Sequence, residues 1–182
     1  MTRAIESFRF TDRGVNFCVD VISYDENCIF DDEWEMTDEH KGGVTVKNPN
    51  ERQSSYKYAI PRQYSLAERV RDLLNKGVPA DKASAMAYEE ARAALSRDLS
   101  ACDYGYEVTA EIGGVNLLTA ENVGCSFNYS YEDDCDLLTA AQDAFTENGV
   151  KDEAIRQARI NAQKQIDAVA VLNTFVNSFE GE

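Results

Sequence analysis

Two carboxylate triplets, Asp31-Asp32-Glu33 and Glu132-Asp133-Asp134, are the densest groups of reactive side chains in the sequence. Grouped carboxylates can hold a hard cation such as Mg²⁺ or Ca²⁺, or supply a general acid. Neither triplet has the spaced acids and central glycine of an EF-hand loop. A metal-dependent nuclease would also need lysine or arginine nearby to hold phosphates, and both triplets lie in stretches without either. The default reading of such runs is solvated acidic surface.

Other chemistry finds less support. The single histidine, His40, sits in the charged turn Asp38-Glu39-His40-Lys41 and is expected to be an exposed loop residue. No Gly-x-Ser-x-Gly and no neighbouring cysteine supports a nucleophile–base pair. There is no phosphate-binding Gly-rich motif, and Gly113-Gly114 reads as a hairpin turn. Cysteines 18, 28, 102, 125 and 135 show no Cys-x-x-Cys spacing. They are expected to be reduced structural thiols, with Cys18 packing as a small hydrophobe in its apolar run. The chain is therefore expected not to be an enzyme, with no catalytic residue, metal ligand set or cofactor.

The charge pattern is more informative. Thirty-three acids against 18 lysines and arginines leave a net charge of −15, and the acids are sorted into blocks. Gly14 to His40 carries nine acids, and Asp98 to Val150 carries eleven, with no lysine or arginine in either. Arg52 to Arg97 instead has nine basic residues against five acids. Such a chain is repelled by nucleic acid and by anionic membranes, so direct binding to either is not expected. A basic nucleic-acid-binding protein or ribonucleoprotein would be attracted and steered. Aromatics interleave with the acids: Tyr24, Phe30 and Trp34 in the first block, then Tyr104, Tyr106, Phe127, Tyr129 and Tyr131. Aromatic anchors dominate interface energies, although strand aromatics are most often core. The candidate partner-binding residues are Asp31, Asp32, Glu33, Trp34 and Glu35, then Glu132, Asp133, Asp134 and Asp136. Acid at Glu132 to Asp134 also suits the start of the following helix.

Taken whole, these 182 residues opening Met1-Thr2-Arg3-Ala4-Ile5-Glu6 are small, acidic and motif-poor. In that outline the chain resembles an anti-CRISPR protein of the type II-A group, phage counter-defence factors that inhibit Cas9. The group has no shared motif, so the resemblance assigns no role to any one residue. It implies a guide-loaded Cas9-type effector as partner, with a basic channel and PAM-reading arginines as the target. The alternatives are a DNA-mimic antirestriction protein of a phage or mobile element, a metal-dependent enzyme with a carboxylate site, and a homo-oligomeric structural protein. With no signal-like opening and no long apolar run, the expected location is the cytoplasm of a host bacterium.

The elements that must position these residues read as an α+β fold, one domain over residues 1–182 with a subdivision near residue 61. A hairpin is expected from Ser7-Phe8-Arg9-Phe10 through Thr11-Asp12-Arg13-Gly14 into Val15–Tyr24, with Val15, Phe17, Val19 and Val21 on one face. Short strands are expected at Val44–Val46 and Ser54–Ile60. Ser65-Leu66-Ala67-Glu68 is a capping box that starts a helix ending before Gly77. Val78-Pro79-Ala80-Asp81 starts a second helix, whose stripe is Ala83, Ala87, Ala91, Ala94, Leu95 and Leu99. Strands are expected at Tyr104–Ile112, Val115–Leu118 and Cys125–Tyr131, then a helix from Asp136 to Glu147. Lys151 to Asn177 is a long helix with 3-4 heptad spacing at Ile155, Ala158, Ala162, Gln165, Val169, Leu172, Val176 and Phe179. Ile160, Ile166, Val171 and Phe175 lie off that stripe, which suits a helix buried on more than one face or a homodimer seam. The two β-rich segments are expected to flank the helical hairpin, with the long helix packed across both.

Overall fold

Arg13 and Gly14 adopt positive φ (47° and 83°), the backbone of a tight two-residue hairpin turn, and fold β1 (Glu6–Asp12) onto β2 (Val15–Ser23). The computed structural model describes residues 4–24, 30–50, 56–124 and 126–178. Cys28, Ser54, Ser55, Cys125 and Phe179, which figure in the expectations above, lie outside those residues. The architecture is α+β, with antiparallel sheets and a long C-terminal helix.

The chain divides into two compact units. The first takes Met1–Tyr24, Tyr104–Phe127 and Cys135–Glu182; the second takes Asp25–Asp103 and Asn128–Asp134. Each unit is assembled from separate stretches, so the division does not follow a cut at residue 61.

In the first unit β2 pairs with β6 (Cys102–Ile112), from Asn16 opposite Glu111 to Ser23 opposite Tyr104. Gly113-Gly114 then turns β6 into β7 (Val115–Asn122). The strand order is β1-β2-β6-β7, and β8 (Phe127–Tyr129) pairs with β6. The N-terminal hairpin therefore shares a sheet with later strands. Two separate meanders flanking a helical hairpin were expected, but β2 has a buried apolar face and an open edge that β6 can pair. Helices α4 (Leu137–Glu147) and α5 (Val150–Asn177) cover one face of the sheet. Phe17, Val19, Val21, Tyr106, Val108, Leu137, Ala141, Phe145, Val150, Ala154 and Ala158 are buried there. Phe145 meets Phe8 and Tyr106 edge-on, with ring centroids at 5.3 and 5.1 Å. The buried Tyr106 hydroxyl donates to the carbonyl of Ala141 at 2.9 Å, and burial pushes its phenol far above the usual range.

Strand parity corrects one expectation. Cys18 lies between Phe17 and Val19, so it points away from the core. It stands between Arg9 and Thr109 on the opposite face of the sheet.

In the second unit α1 (Phe30–Glu33) runs directly into β3 (Trp34–Thr37), which pairs with β5 (Tyr58–Pro61). Gly42–Val44 is a 3₁₀ turn, and β4 (Val46–Lys47) takes the far side of β5. Helix α2 (Leu66–Asn75) has the expected capping box: Glu68 N–H donates to Ser65 Oγ at 3.3 Å, and Ser65 N–H to Glu68 Oε2 at 2.8 Å. Helix α3 (Ala80–Ser100) buries Ala83, Ala87, Ala91 and Leu95 at the expected spacing. Ala83 and Ala87 pack on Leu73 of α2, while Ala91 and Leu95 pack on Trp34, Val46, Ala59 and Leu66.

Candidate partner-binding site

The last turn of α3 gathers the acidic clusters of the second unit. Leu95 faces the core, so Ser96, Arg97 and Asp98 project around the rim of the helix. Arg97 Nε donates to Asp133 Oδ1 at 2.5 Å, and Nη1 donates to Asp98 Oδ1 at 2.8 Å. Asp98 Oδ2 accepts from Trp34 Nε1 at 2.8 Å. Ser96 Oγ donates to Glu132 Oε1 at 3.0 Å. The turn that carries Glu132 and Asp133 is itself braced: Asp133 Oδ2 accepts from Ser130 N–H at 2.9 Å, and Ser130 Oγ lies 2.6 Å from Ser100 Oγ.

These bonds run Trp34–Asp98–Arg97–Asp133 without a break and link the residue after the first triplet to the middle of the second. Partial burial pulls the Arg97 guanidinium down, but Asp133 and Asp98 outweigh it and hold the group above its usual range. One permanent cation thus serves two carboxylates. Among the described residues the cations paired to the candidate acids are Arg97 and Lys41, the latter 3.8 Å from Glu35, and not Arg62, Arg69 or Arg71.

The candidate residues divide by what their side chains do. Asp31, Asp32 and Asp134 are exposed carboxylates in the second unit, as are Glu35 and Glu132. Glu33 is half-buried at the end of α1, and its carbonyl accepts from Arg62 N–H at 2.8 Å. Asp133 is half-buried and committed to Arg97. Asp136 belongs to the first unit and caps α4, accepting from Thr139 N–H and Oγ1, both at 3.0 Å. Those bonds hold its carboxyl below the usual range.

Trp34 was expected to be an exposed anchor, and the structure places it at 3% exposure among Val46, Ala59, Leu66, Ala91 and Leu95. The reason is β3, which alternates Trp34 and Met36 inward with Glu35 outward. Tyr104, Tyr106, Phe127 and Tyr129 are also buried. The exposed aromatic beside the acids is Tyr131, 75% exposed and edge-on to Tyr129. Alternation placed Tyr131 on the same face as Phe127 and Tyr129, but β8 ends at Tyr129, and Tyr131 falls in the turn beyond it. Arg97 and Asp98 were missed as site residues because only the pairing across the fold singles them out.

His40 is exposed, its ring 5.2 Å from that of Tyr58. Among the described residues no group of three or more His, Cys, Asp or Glu side chains is placed to hold a metal ion. The open face of the first unit's sheet forms a hollow of about 490 Å³ lined by Arg9, Thr11, Asn16, Cys18, Thr109 and Glu111. Its charge is mixed, with Arg9 and Glu111 both at its lining. No helix among the described residues is long and apolar enough to cross a membrane. The fold and this surface define an α+β protein with an acidic cluster braced by Arg97 in its second unit. No protein-family model, curated protein or solved structure matches the chain.

Proposed function

We propose that the protein acts by binding, as an acidic inhibitor that occupies the nucleic-acid-binding residues of a basic partner. The contact surface is Asp31, Asp32, Glu132 and Asp134 of the second unit, with Tyr131 as its exposed aromatic. The observation that carries this reading is the bonded run Trp34–Asp98–Arg97–Asp133, which holds Trp34, next in sequence to the first triplet, and Asp133 of the second at one helix end. Carboxylates held in place meet a lysine- and arginine-lined channel at a smaller entropy cost than carboxylates on free loops. The resemblance to Cas9-inhibiting proteins makes a guide-loaded Cas9-type effector the first partner to test.

The test measures binding of guide-loaded Cas9 to the immobilised protein at low salt and at about 0.5 M NaCl, where screening is nearly complete. Binding should weaken with salt and survive a chelator. The triple variant Asp31→Lys, Asp32→Lys, Asp134→Lys removes no hydrogen bond of the brace. It should weaken binding about 10- to 100-fold with an unchanged thermal melt. Unchanged binding by that variant rules out the charge mechanism. If Cas9 does not bind, capture from a bacterial lysate with and without nuclease decides between a protein partner, a ribonucleoprotein and none.

A further inference from the structure

The first half of α5 lies on the sheet, and the second half does not. Ile155, Ala158 and Ala162 line a hollow with Val15, Phe17 and Leu117. Asn161 Nδ2 and Gln165 Nε2 then donate to the carbonyls of Leu117 and Asn116 at 2.9 and 2.8 Å. From Gln163 to Ser178 every residue is exposed, yet the same heptad stripe continues through Val169, Leu172 and Val176 with Ile166 at its side. These four side chains are 54–63% exposed. Burial on more than one face was expected, but the first half buries one face, through Val150, Ala154 and Ala158, with Ile160 41% exposed, and the second half is exposed because the sheet beneath it ends.

We infer that residues 163–178 form an antiparallel two-helix seam with a second copy of this chain. The occupant is argued first from charge. The segment carries one lysine and one aspartate, Lys164 and Asp167, in a chain of net charge −15. A basic partner drawn by that net charge finds a single carboxylate, Asp167, to pair with here. Direction follows from the sheet. Because the stripe's first half faces the molecule's own strands, a parallel partner helix would have to occupy their place. A reversed helix overlapping the exposed half meets them only at Gln165, whose amide reaches the carbonyl of Asn116. Reversal also keeps the heptad in register: Val169 meets the partner copy's Leu172, and Gln165 meets its Val176, each an a position against a d position. The contact is thus self-complementary about a two-fold axis. Sixteen helical residues make a strip roughly 24 Å long and 10 Å wide. Two such strips together have a flat area of about 480 Å², below the about 1,000 Å² of a stable interface, so the contact belongs to the weak class. A weak dimer, with Kd of about 100 µM, is expected.

Sedimentation velocity over about 1–300 µM protein tests this. A monomer–dimer equilibrium is expected, tightening as salt rises, because two acidic chains repel each other. That salt dependence is opposite to the one expected for a basic partner, so the two proposals fail separately. Leu172→Lys should weaken the dimer about 100-fold or more while leaving the thermal melt in place, because the site is exposed in the monomer. In the double variant Gln165→Cys, Val176→Cys, oxidation should join residue 165 of one copy to residue 176 of the other, read by mass spectrometry. A monomer throughout, an assembly larger than a dimer, a Leu172→Lys dimer of unchanged strength, or 165-to-165 linkage would each overturn the inference.

Discussion

Replacing Trp34 separates a core role from an interface role. At 3% exposure its ring fills the space among Val46, Ala59, Leu66, Ala91 and Leu95. Truncating a buried aromatic to alanine costs about 3–5 kcal/mol, part transfer and part cavity. The indole N–H also donates to Asp98 at 2.8 Å, and a bond to a charged acceptor is worth about 1.5–3 kcal/mol. Asp98 keeps its bond to Arg97, so the low end of that range applies. Trp34→Ala should therefore cost about 4.5–6.5 kcal/mol, and Trp34→Phe, which keeps most of the ring, about 2 kcal/mol. Against a total stability of about 5–15 kcal/mol the alanine variant is severely weakened. The assay is urea unfolding followed by far-UV circular dichroism, since the single tryptophan is lost as a fluorophore. A cycle with Asp98→Asn should return about 1 kcal/mol of coupling. A Trp34→Ala cost below about 0.5 kcal/mol, the range of a surface change, would refute the core assignment.

The brace makes a second stability prediction. Arg97→Met removes the cation shared by Asp98 and Asp133, whose side chains are 19% and 20% exposed, and should cost about 2 kcal/mol in the same assay after discounting for the partly exposed arginine. It should also weaken salt-sensitive partner binding, by loosening the turn that carries Glu132. A third prediction concerns acid. The hydrogen bonds from Ser65 to Glu68, from Thr139 to Asp136, and from Arg156 and Gln157 to Glu153 hold these carboxyls below their usual range, Glu153 at about 2. A lowered folded pKa means stability that is present above the unfolded value and lost as pH falls through the folded one. Thermal melts from pH 6 down to about 2 should therefore fall less steeply for Asp136→Asn and Glu153→Gln than for the unaltered chain. Asparagine still caps the helix, so the neutral-pH melt of Asp136→Asn should change little. Identical acid slopes would remove these groups from the account.

Much of the local structure was legible in the residues because its causes are local. The Ser65–Glu68 box, the alanine stripe of α3 and the Arg13-Gly14 turn each need only neighbours along the chain. The α+β class and the two acid-rich stretches were equally readable from composition and period. What escaped depended on distant pairing. Trp34 looks like an anchor because six acids stand near it in sequence, but the pairing of β3 with β5 turns the ring inward. Tyr131 looked like one more strand aromatic until β8 ended before it.

The amino-acid sequence by itself determined that this is an acidic α+β chain with its carboxylates in blocks and a heptad stripe at its C-terminal end. Only the tertiary structure decided what those features do. Arg97, just outside an acidic block, is brought to Asp133 by the approach of the turn after β8 to the end of α3, and that one contact splits the acids into bracing and exposed groups. The sheet beneath α5 stops short of its second half, and that limit turns half of a uniform stripe from core into open surface. Charge and period are properties of residues along a line, whereas neutralisation and burial depend on which segments meet in space.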